Sequence, residues 1–119
     1  MKSYRELIVW QKGIELAKSV YCLTRAFPEE ERYALSDQMR RAAVSISSNI
    51  AEGHARQHTK EFRQFLSVSL GSLAELDTQL VIASELGYVR TKETKDVVDR
   101  ITELQKMTSV LLSRLAPNP

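Results

Sequence analysis

Residues 40–53, with the sequence RRAAVSISSNIAEG, decide which fold the chain is predicted to adopt. The stretch contains no proline and has glycine only at its end, so an unbroken backbone element is expected. Apolar and small residues recur at spacings of three and four, which places them on one stripe of a helix: Met39, Ala43, Ile46, Ile50 and Gly53. Residues 44–47 also alternate as a strand would, but over four positions only. The stretch therefore predicts a helix.

This helix carries small side chains on more than one face. Val44, Ser47 and Ala51 follow Arg40 in a second row, beside the first stripe. A central bundle helix that is crowded by its neighbours explains this pattern. A helix that packs one small-residue face against another subunit explains it equally well. Both interpretations stay open at the level of the residues.

The first two helices have clear candidate ends. Ser3 opens a Ser-x-x-Glu pattern, which is the form of a capping box, so the first helix is predicted to begin there. Pro28 is predicted to end it, because proline disfavours a helical residue ahead of it. Ser36 is the candidate N-cap of the second helix, and Gly53 is its candidate C-terminal stop.

The third and fourth helices carry the pattern of a left-handed helical bundle. The third is predicted to begin near His58 or Thr59, and the fourth is predicted to be capped by Thr91. Apolar residues in both alternate steps of four and three. The rows are Phe62, Leu66, Ser69, Leu73, Leu76, Leu80 and Ala83, then Val97, Ile101, Leu104, Thr108, Leu111 and Leu115. Because the links are short, an all-α, antiparallel up-and-down four-helix bundle is predicted, as a single domain over residues 1–119.

The composition is that of an ordinary soluble protein. Hydrophobic residues make up 43% and charged residues 27% of 119 residues, which suits one globular core. The apolar run at residues 7–10 is too short for a membrane span or a signal peptide. Cys22 is the single cysteine, so an internal disulfide is excluded. A cytoplasmic protein without a membrane partner is expected.

Residues that carry chemistry are scarce. His54 and His58 are four residues apart, but Gly53 is predicted to end the helix before them, which makes them loop residues. Ala51 and Ala55 precede the two histidines by three residues, so the Glu-x-x-His pattern of di-iron bundles is missing. The serines form no nucleophile elbow, and the glycines form no phosphate-binding loop. We therefore expect no enzyme activity, no catalytic residue, no metal site and no cofactor.

Positive charge is concentrated in the middle of the chain. The formal net charge is +2, and residues 32–66 contain six basic side chains against three acidic ones. Aromatic residues do not alternate with the basic ones, so contacts to nucleic acid are expected at phosphates and without sequence preference. The candidate nucleic-acid-binding residues are Arg40, Arg41, Arg56, Lys60 and Arg63. A solvated basic face without a ligand is the alternative.

The same stretches resemble a known family. RRAAVSISSNIAEG and four further segments are similar to the four-helix-bundle proteins encoded in intervening sequences of bacterial 23S rRNA genes: residues 9–12 (VWQK), 60–62 (KEF), 71–76 (GSLAEL) and 86–88 (LGY). The resemblance covers nearly the whole chain. Two positions depart from it. Ser47 stands where the family commonly has proline, and His58 stands where serine often caps the third helix.

The resemblance implies an assembly. Relatives include the accessory protein of diversity-generating retroelements, a pentameric barrel that associates with a reverse transcriptase and binds nucleic acid. A homopentameric scaffold that binds RNA or DNA is therefore implied, with a partner protein as a further possibility. The apolar residues of the first helix and the small faces of the second exceed what one bundle buries. The candidate interface residues are Trp10, Val44, Ser47 and Ala51, and a structural protein–protein interaction module is the alternative function.

Overall fold

The computed structural model describes residues 3–116, and within them the chain is helical and has no strand. A short 3-10 turn at Tyr4–Glu6 precedes helix α1, and a second one at Glu29–Glu31 joins α1 to α2. The four long helices are α1 (Ile8–Thr24), α2 (Leu35–Ala55), α3 (Thr59–Glu85) and α4 (Thr91–Arg114). The predicted all-α fold is confirmed.

The helices form an up-and-down bundle. Each helix packs against the next one along the chain, and α4 returns to pack against α1. Phe27, just after α1, stacks against Tyr88 in the α3–α4 turn, with ring centroids 5.6 Å apart. Residues at the start of α1 and at the end of α4 line one surface groove. Neighbouring helices therefore run in opposite directions, as the short links predicted, in a bundle with extents of 48 × 22 × 20 Å.

The predicted apolar rows form the core. The whole stripe of α2 is buried, from Met39 to Gly53. Leu66, Leu73 and Leu76 of α3 are fully buried with Leu104 of α4. Only the outer members of the rows remain partly accessible: Phe62, Leu111 and Leu115. Burial of these rows from four sides explains why the chain adopts helices of this length in preference to the short strand pattern at residues 44–47.

Helices α2 and α3 share the most extensive contact in the bundle, and small residues let them approach closely. A side chain at Gly53 would place its Cβ 2.5 Å from the Cβ of Phe65, a distance that real Cβ atoms do not adopt. The Ser69 hydroxyl donates to the Ile46 carbonyl at 3.0 Å, and the Ser45 hydroxyl donates to Ser72 Oγ at 2.6 Å. Gly53 is therefore a site of close approach inside α2.

The predicted end of α2 at Gly53 is thus wrong. The helix continues to Ala55, and Gln57 takes the left-handed backbone conformation with a φ of 62°. Left-handed geometry after a helix is the role that the sequence suggested for glycine. Gly53 instead allows α2 to pack closely against Phe65 of α3. The helix also runs without interruption through Ser47, the position where the family commonly has proline.

Three predicted helix starts also differ from the structure. The Ser3 hydroxyl accepts from the Arg5 N–H at 3.1 Å and caps the 3-10 turn, whereas α1 begins at Ile8. Ser36 lies inside α2 and is buried, and the N-cap position belongs to Ala34. Thr91 is the first residue of α4, and Glu93 accepts from the Arg90 N–H at 3.1 Å. A serine or threonine therefore indicates roughly where a helix begins. Tertiary packing decides which residue takes the N-cap position.

Among the described residues, α3 is long and apolar enough by length and composition to cross a membrane. In the bundle it lies between α2 and α4, and seven of its residues are buried, from Leu66 to Ala83. The core helix of a bundle passes the same test of length and composition.

Candidate basic surface and apolar groove

The five predicted nucleic-acid-binding residues lie at the two ends of α2. Arg40 and Arg41 belong to its first half, whereas Arg56 follows its last residue. Lys60 and Arg63 lie in the first turns of α3, beside Arg56. At a rise of about 1.5 Å per residue, the sixteen positions between Arg40 and Arg56 span roughly 24 Å. The structure therefore keeps two separate basic clusters.

In the cluster at the C-terminal end of α2, Arg56 is paired with two neighbouring carboxylates. Arg56 donates to Glu52 at 3.3 Å and to Glu61 at 3.4 Å, and its guanidinium lies 5.4 Å from the centre of the Phe65 ring. Lys60 is exposed, and Arg63 is partly buried. No hydrogen-bond partner for the buried Nε of Arg63 is found among the described residues. Lys60 is the predicted residue with the most accessible charge here.

At the N-terminal end of α2 the two predicted arginines differ. Arg41 is exposed and forms a one-turn ion pair with Asp37 at 2.9 Å. Arg40 points toward α1, where its Nε donates to the Thr24 hydroxyl at 2.8 Å. The guanidinium also lies 4.7 Å from the centre of the Tyr21 ring. Arg40 is therefore held in place by neutral partners, and its positive charge is not cancelled by them.

Two further arginines join Arg40, and the sequence prediction missed both. Arg25 at the end of α1 and Arg32 in the α1–α2 connection line the same cavity as Arg40, with a volume of about 360 Å³. We call this cavity the arginine pocket. Arg32 lies at the start of the basic segment 32–66 and Arg25 precedes that segment. The short connection between antiparallel helices was the signal that places the end of α1 beside the start of α2.

A different surface brings the predicted interface residues together. Trp10, Val44, Ser47 and Ala51 all line one groove between α1 and α2, with a volume of about 250 Å³. All nine residues that line it are uncharged. We call it the α1–α2 groove. Val44 is 45% exposed at its rim, and Ile14 and Tyr21 of α1 are similarly exposed along the same side of the bundle.

Ser47 makes its contacts inside the bundle. Its side chain is buried, and its hydroxyl donates to the Trp10 carbonyl at 3.1 Å. Gly13 lies directly opposite, so close that a Cβ there would collide with the Ser47 hydroxyl. Ser47 and Gly13 thus let α1 and α2 approach, and Ser47 lines the groove together with Trp10 and Val44.

The two histidines lie on either side of Arg56, at the C-terminal end of α2. His54 belongs to the last turn of α2, so its prediction as a loop residue is wrong, and it meets the Phe62 ring edge-on at 5.6 Å. His58 is exposed at the start of α3. Both line a surface cavity with Tyr4. Over residues 3–116, no group of three or more histidine, cysteine, aspartate or glutamate side chains is arranged to hold a metal ion.

These features define the class of the protein: an up-and-down four-helix bundle with an uncharged groove on α1 and α2 and basic clusters at the two ends of α2. Within this class, the family model for the 23S rRNA-intervening sequence proteins matches residues 5–110. The chain belongs to this family, as the resemblance of its motifs indicated. No curated protein matches it.

A solved structure supports the same fold. The chain is similar to a protein of unknown function from the S23 ribosomal protein family of Bacteroides thetaiotaomicron, with a TM-score of 0.79 and 22% identity. The similarity covers 88% of this chain and 98% of the other. At this identity, the likeness shows the fold of the bundle.

Proposed function

We propose that the protein is a non-enzymatic scaffold that assembles with copies of itself and binds nucleic acid through phosphate contacts. The observation that carries the proposal is the α1–α2 groove, because an uncharged depression with exposed hydrophobic residues at its rim is typical of an interface. Assembly through this groove places the basic clusters of each copy around the rim of the oligomer.

The proposed number of subunits rests on the family resemblance of the sequence, which implies a pentamer. The physical support for assembly itself is the exposure of Ile14, Tyr21 and Val44 on one side of the bundle. An interface over these residues and the groove removes apolar surface from water, at about 25 cal/mol per Å².

The assembly is tested by light scattering on the purified protein. We expect one species well above the 13.5 kDa of the single chain. Val44→Glu places a charge at the rim of the groove and should dissociate the oligomer while the helical circular dichroism is retained. Val68→Glu is the matched control, because Val68 is 52% exposed on α3 and does not line the groove. A monomeric wild type, or equal dissociation by both variants, contradicts the proposal.

Binding of nucleic acid follows from repetition of the basic clusters. One subunit offers two weak spots about 24 Å apart along α2. An oligomer repeats each spot in a ring, and multivalent contact raises the overall affinity well above that of one site. Because the contacts are to phosphates, affinity should fall steeply with salt, with log K decreasing by about 0.7–0.9 per logarithmic unit of salt for each phosphate contacted.

The binding test uses fluorescence anisotropy with a generic RNA and a generic DNA at low salt. Arg56→Glu with Lys60→Glu should weaken binding more than the control does, without changing the oligomeric state. Lys92→Glu with Lys106→Glu is the control, because both lysines are exposed on α4 and the change in net charge is the same. Equal losses in the two double variants would show an unspecific charge effect, and a wild type that binds neither probe would refute this part of the proposal.

One observation favours a second candidate function. Arg41 and Arg56 already have carboxylate partners within the subunit, which reduces the charge that they offer to phosphates. A structural module that binds only proteins through its apolar surface, with no nucleic acid, is consistent with this pairing. The anisotropy measurement above separates the two candidates.

A further inference from the structure

We infer that the arginine pocket binds a terminal phosphate of a nucleic-acid strand, an inference that rests on the proposed function and narrows it to one site. The pocket lies where the end of α1, the Glu29–Glu31 turn and the start of α2 meet. Its volume of about 360 Å³ is at the lower end of the range of small-molecule sites, about 300–1,000 Å³.

The charge of the pocket favours an anion. Three arginines line it against one carboxylate, that of Glu29. In the described part of the chain, none of Arg25, Arg32 and Arg40 forms an ion pair within 4.0 Å, in contrast to Arg41 and Arg56. Guanidinium groups match phosphate oxygens with paired donors. The pocket therefore brings together three arginines that no carboxylate of the described residues pairs with directly.

Arg40 is fixed in advance of binding. Its Nε is occupied by Thr24, and the Tyr21 ring packs against the guanidinium. The terminal nitrogens of the same group remain available to a ligand. A donor that is already immobilised loses little conformational entropy on binding, so Arg40 is the fixed element of the site, and Arg25 and Arg32 are exposed side chains that close on the anion.

The start of α2 brings the Ser36 hydroxyl to the same pocket. No side chain of the described residues caps the first N–H groups of this 21-residue helix. Uncapped N–H groups and the positive end of a helix dipole attract anions. Ser36 in this turn is only 5% exposed, lines the pocket, and makes no hydrogen bond with its hydroxyl to any described residue. The Ser36 oxygen is not one of the buried polar atoms that lack a partner, so it keeps contact with solvent in the pocket and can donate to a phosphate oxygen.

The chemistry favours a terminal phosphate over an internal one. A phosphate monoester carries close to two negative charges at pH 7.5, because its second pKa is about 6, and it exposes three oxygens. An internal phosphodiester has one charge and is flanked by sugars on both sides. Three arginines, a hydroxyl and a helix start suit the dianion that enters the pocket end-on.

The first measurement compares probes on the wild-type protein in phosphate-free buffer. Calorimetry should detect binding of inorganic phosphate, and an oligonucleotide with a 5′-phosphate should bind about tenfold more tightly than the same sequence with a 5′-hydroxyl. Phosphate binding with no preference between the oligonucleotides would assign the pocket to a free phosphate compound and overturn the strand-end inference. The absence of phosphate binding would refute the arginine pocket as a phosphate-binding site.

The second measurement locates the site. Arg25→Gln with Arg32→Gln should remove phosphate binding and the preference for the 5′-phosphate, and Ser36→Ala should weaken both. Arg90→Gln with Lys92→Gln is the control, because it removes two charges beside the α3–α4 turn, at the same end of the bundle, and neither residue lines the pocket. Circular dichroism checks that each variant is folded. Equal losses in the two double variants would show diffuse attraction and refute the site.

The outcomes also separate this inference from the proposed function. Binding of both oligonucleotides with equal affinity, unaffected by the pocket variants, refutes the pocket and leaves the phosphate-binding scaffold in place. Binding of inorganic phosphate with no binding of any oligonucleotide refutes the scaffold and the strand-end inference together.

Discussion

The two ends of α2 carry similar numbers of basic residues, and the structure treats them in opposite ways. At the C-terminal end, Arg56 lies between Glu52 and Glu61. At the N-terminal end, Arg40 has only the Thr24 hydroxyl and the Tyr21 ring as partners, with Arg25 and Arg32 across the same pocket. The C-terminal end pairs Arg56 with carboxylates and leaves Lys60 exposed. The N-terminal end pairs Arg41 with Asp37 but leaves the three arginines of the pocket without an ion pair.

The contrast shows that a count of basic residues does not measure an anion-binding surface. The segment with the largest positive excess includes both ends of α2, yet Glu52 and Glu61 cancel much of it at one of them. Packing contributes to the same contrast, because the C-terminal end is held on α3 by Gly53 and Phe65, whereas the first turn of α2 has no side-chain cap.

The largest expected effect tests whether both ends are equally anchored in the core. Met39 lies in the first half of α2 and Ile50 in the second, and both are fully buried. Met39→Ala and Ile50→Ala should each lower the free energy of unfolding by about 2–5 kcal/mol, because each leaves a cavity. Urea denaturation measures both. A loss below about 1 kcal/mol for Met39→Ala alone, against that range, would mean that the N-terminal end is loosely packed.

An intermediate effect tests the tight packing at the C-terminal end. Gly53→Ala gains helix propensity of about 0.5–1 kcal/mol, but its Cβ collides with Phe65 at the base of the side chain, where rotation gives no relief. We expect a net loss of about 1–2 kcal/mol in the free energy of unfolding, since overpacking typically costs about 1–3 kcal/mol.

Gly71→Ala is the matched control for this substitution. Gly71 lies inside α3, and a Cβ there meets no atom within 4 Å. It should stabilise the protein by about 0.5–1 kcal/mol, through helix propensity alone. Thermal or urea denaturation of the two variants side by side gives the comparison, and the same sign for both would contradict the close approach of α2 and α3.

The smallest expected effect concerns the neutralised arginine. Arg56→Gln removes two exposed ion pairs, which are screened by water, so the free energy of unfolding should change by less than about 1 kcal/mol. The change should shrink further in 1 M salt. Denaturation at low and high salt measures it, and a larger, salt-independent loss would show that the contact of Arg56 with the Phe65 ring, and not the ion pairs, holds the guanidinium.

The helices were predictable because their signal is local and repeated. The rows of α3 and α4 keep one spacing over about six and about five turns, so single polar members such as Ser69 do not obscure it. The ends of the helices were less predictable. Ser36 has the right type for a cap and instead lies inside the first turn of α2, since the bundle buries that turn beside the end of α1.

The candidate functional residues likewise differ in how far the sequence could predict them. Trp10, Val44, Ser47 and Ala51 were found together because the two helices that carry them have regular spacing, and a shared groove follows from packing those faces. The arginine pocket was missed because its members come from the end of α1, a connecting turn and the start of α2. Their separation in sequence carries no periodic signal.

The sequence by itself determined that this chain forms four helices, which faces they bury, and that positive charge is concentrated around α2. Those properties depend on residue type and spacing, which are local. Tertiary structure decided which charges are cancelled and which are not, because ion pairs and pockets depend on distances between side chains from different elements. Gly53 illustrates the difference: its type suggested a helix end, and only the position of Phe65 on the neighbouring helix made it a contact.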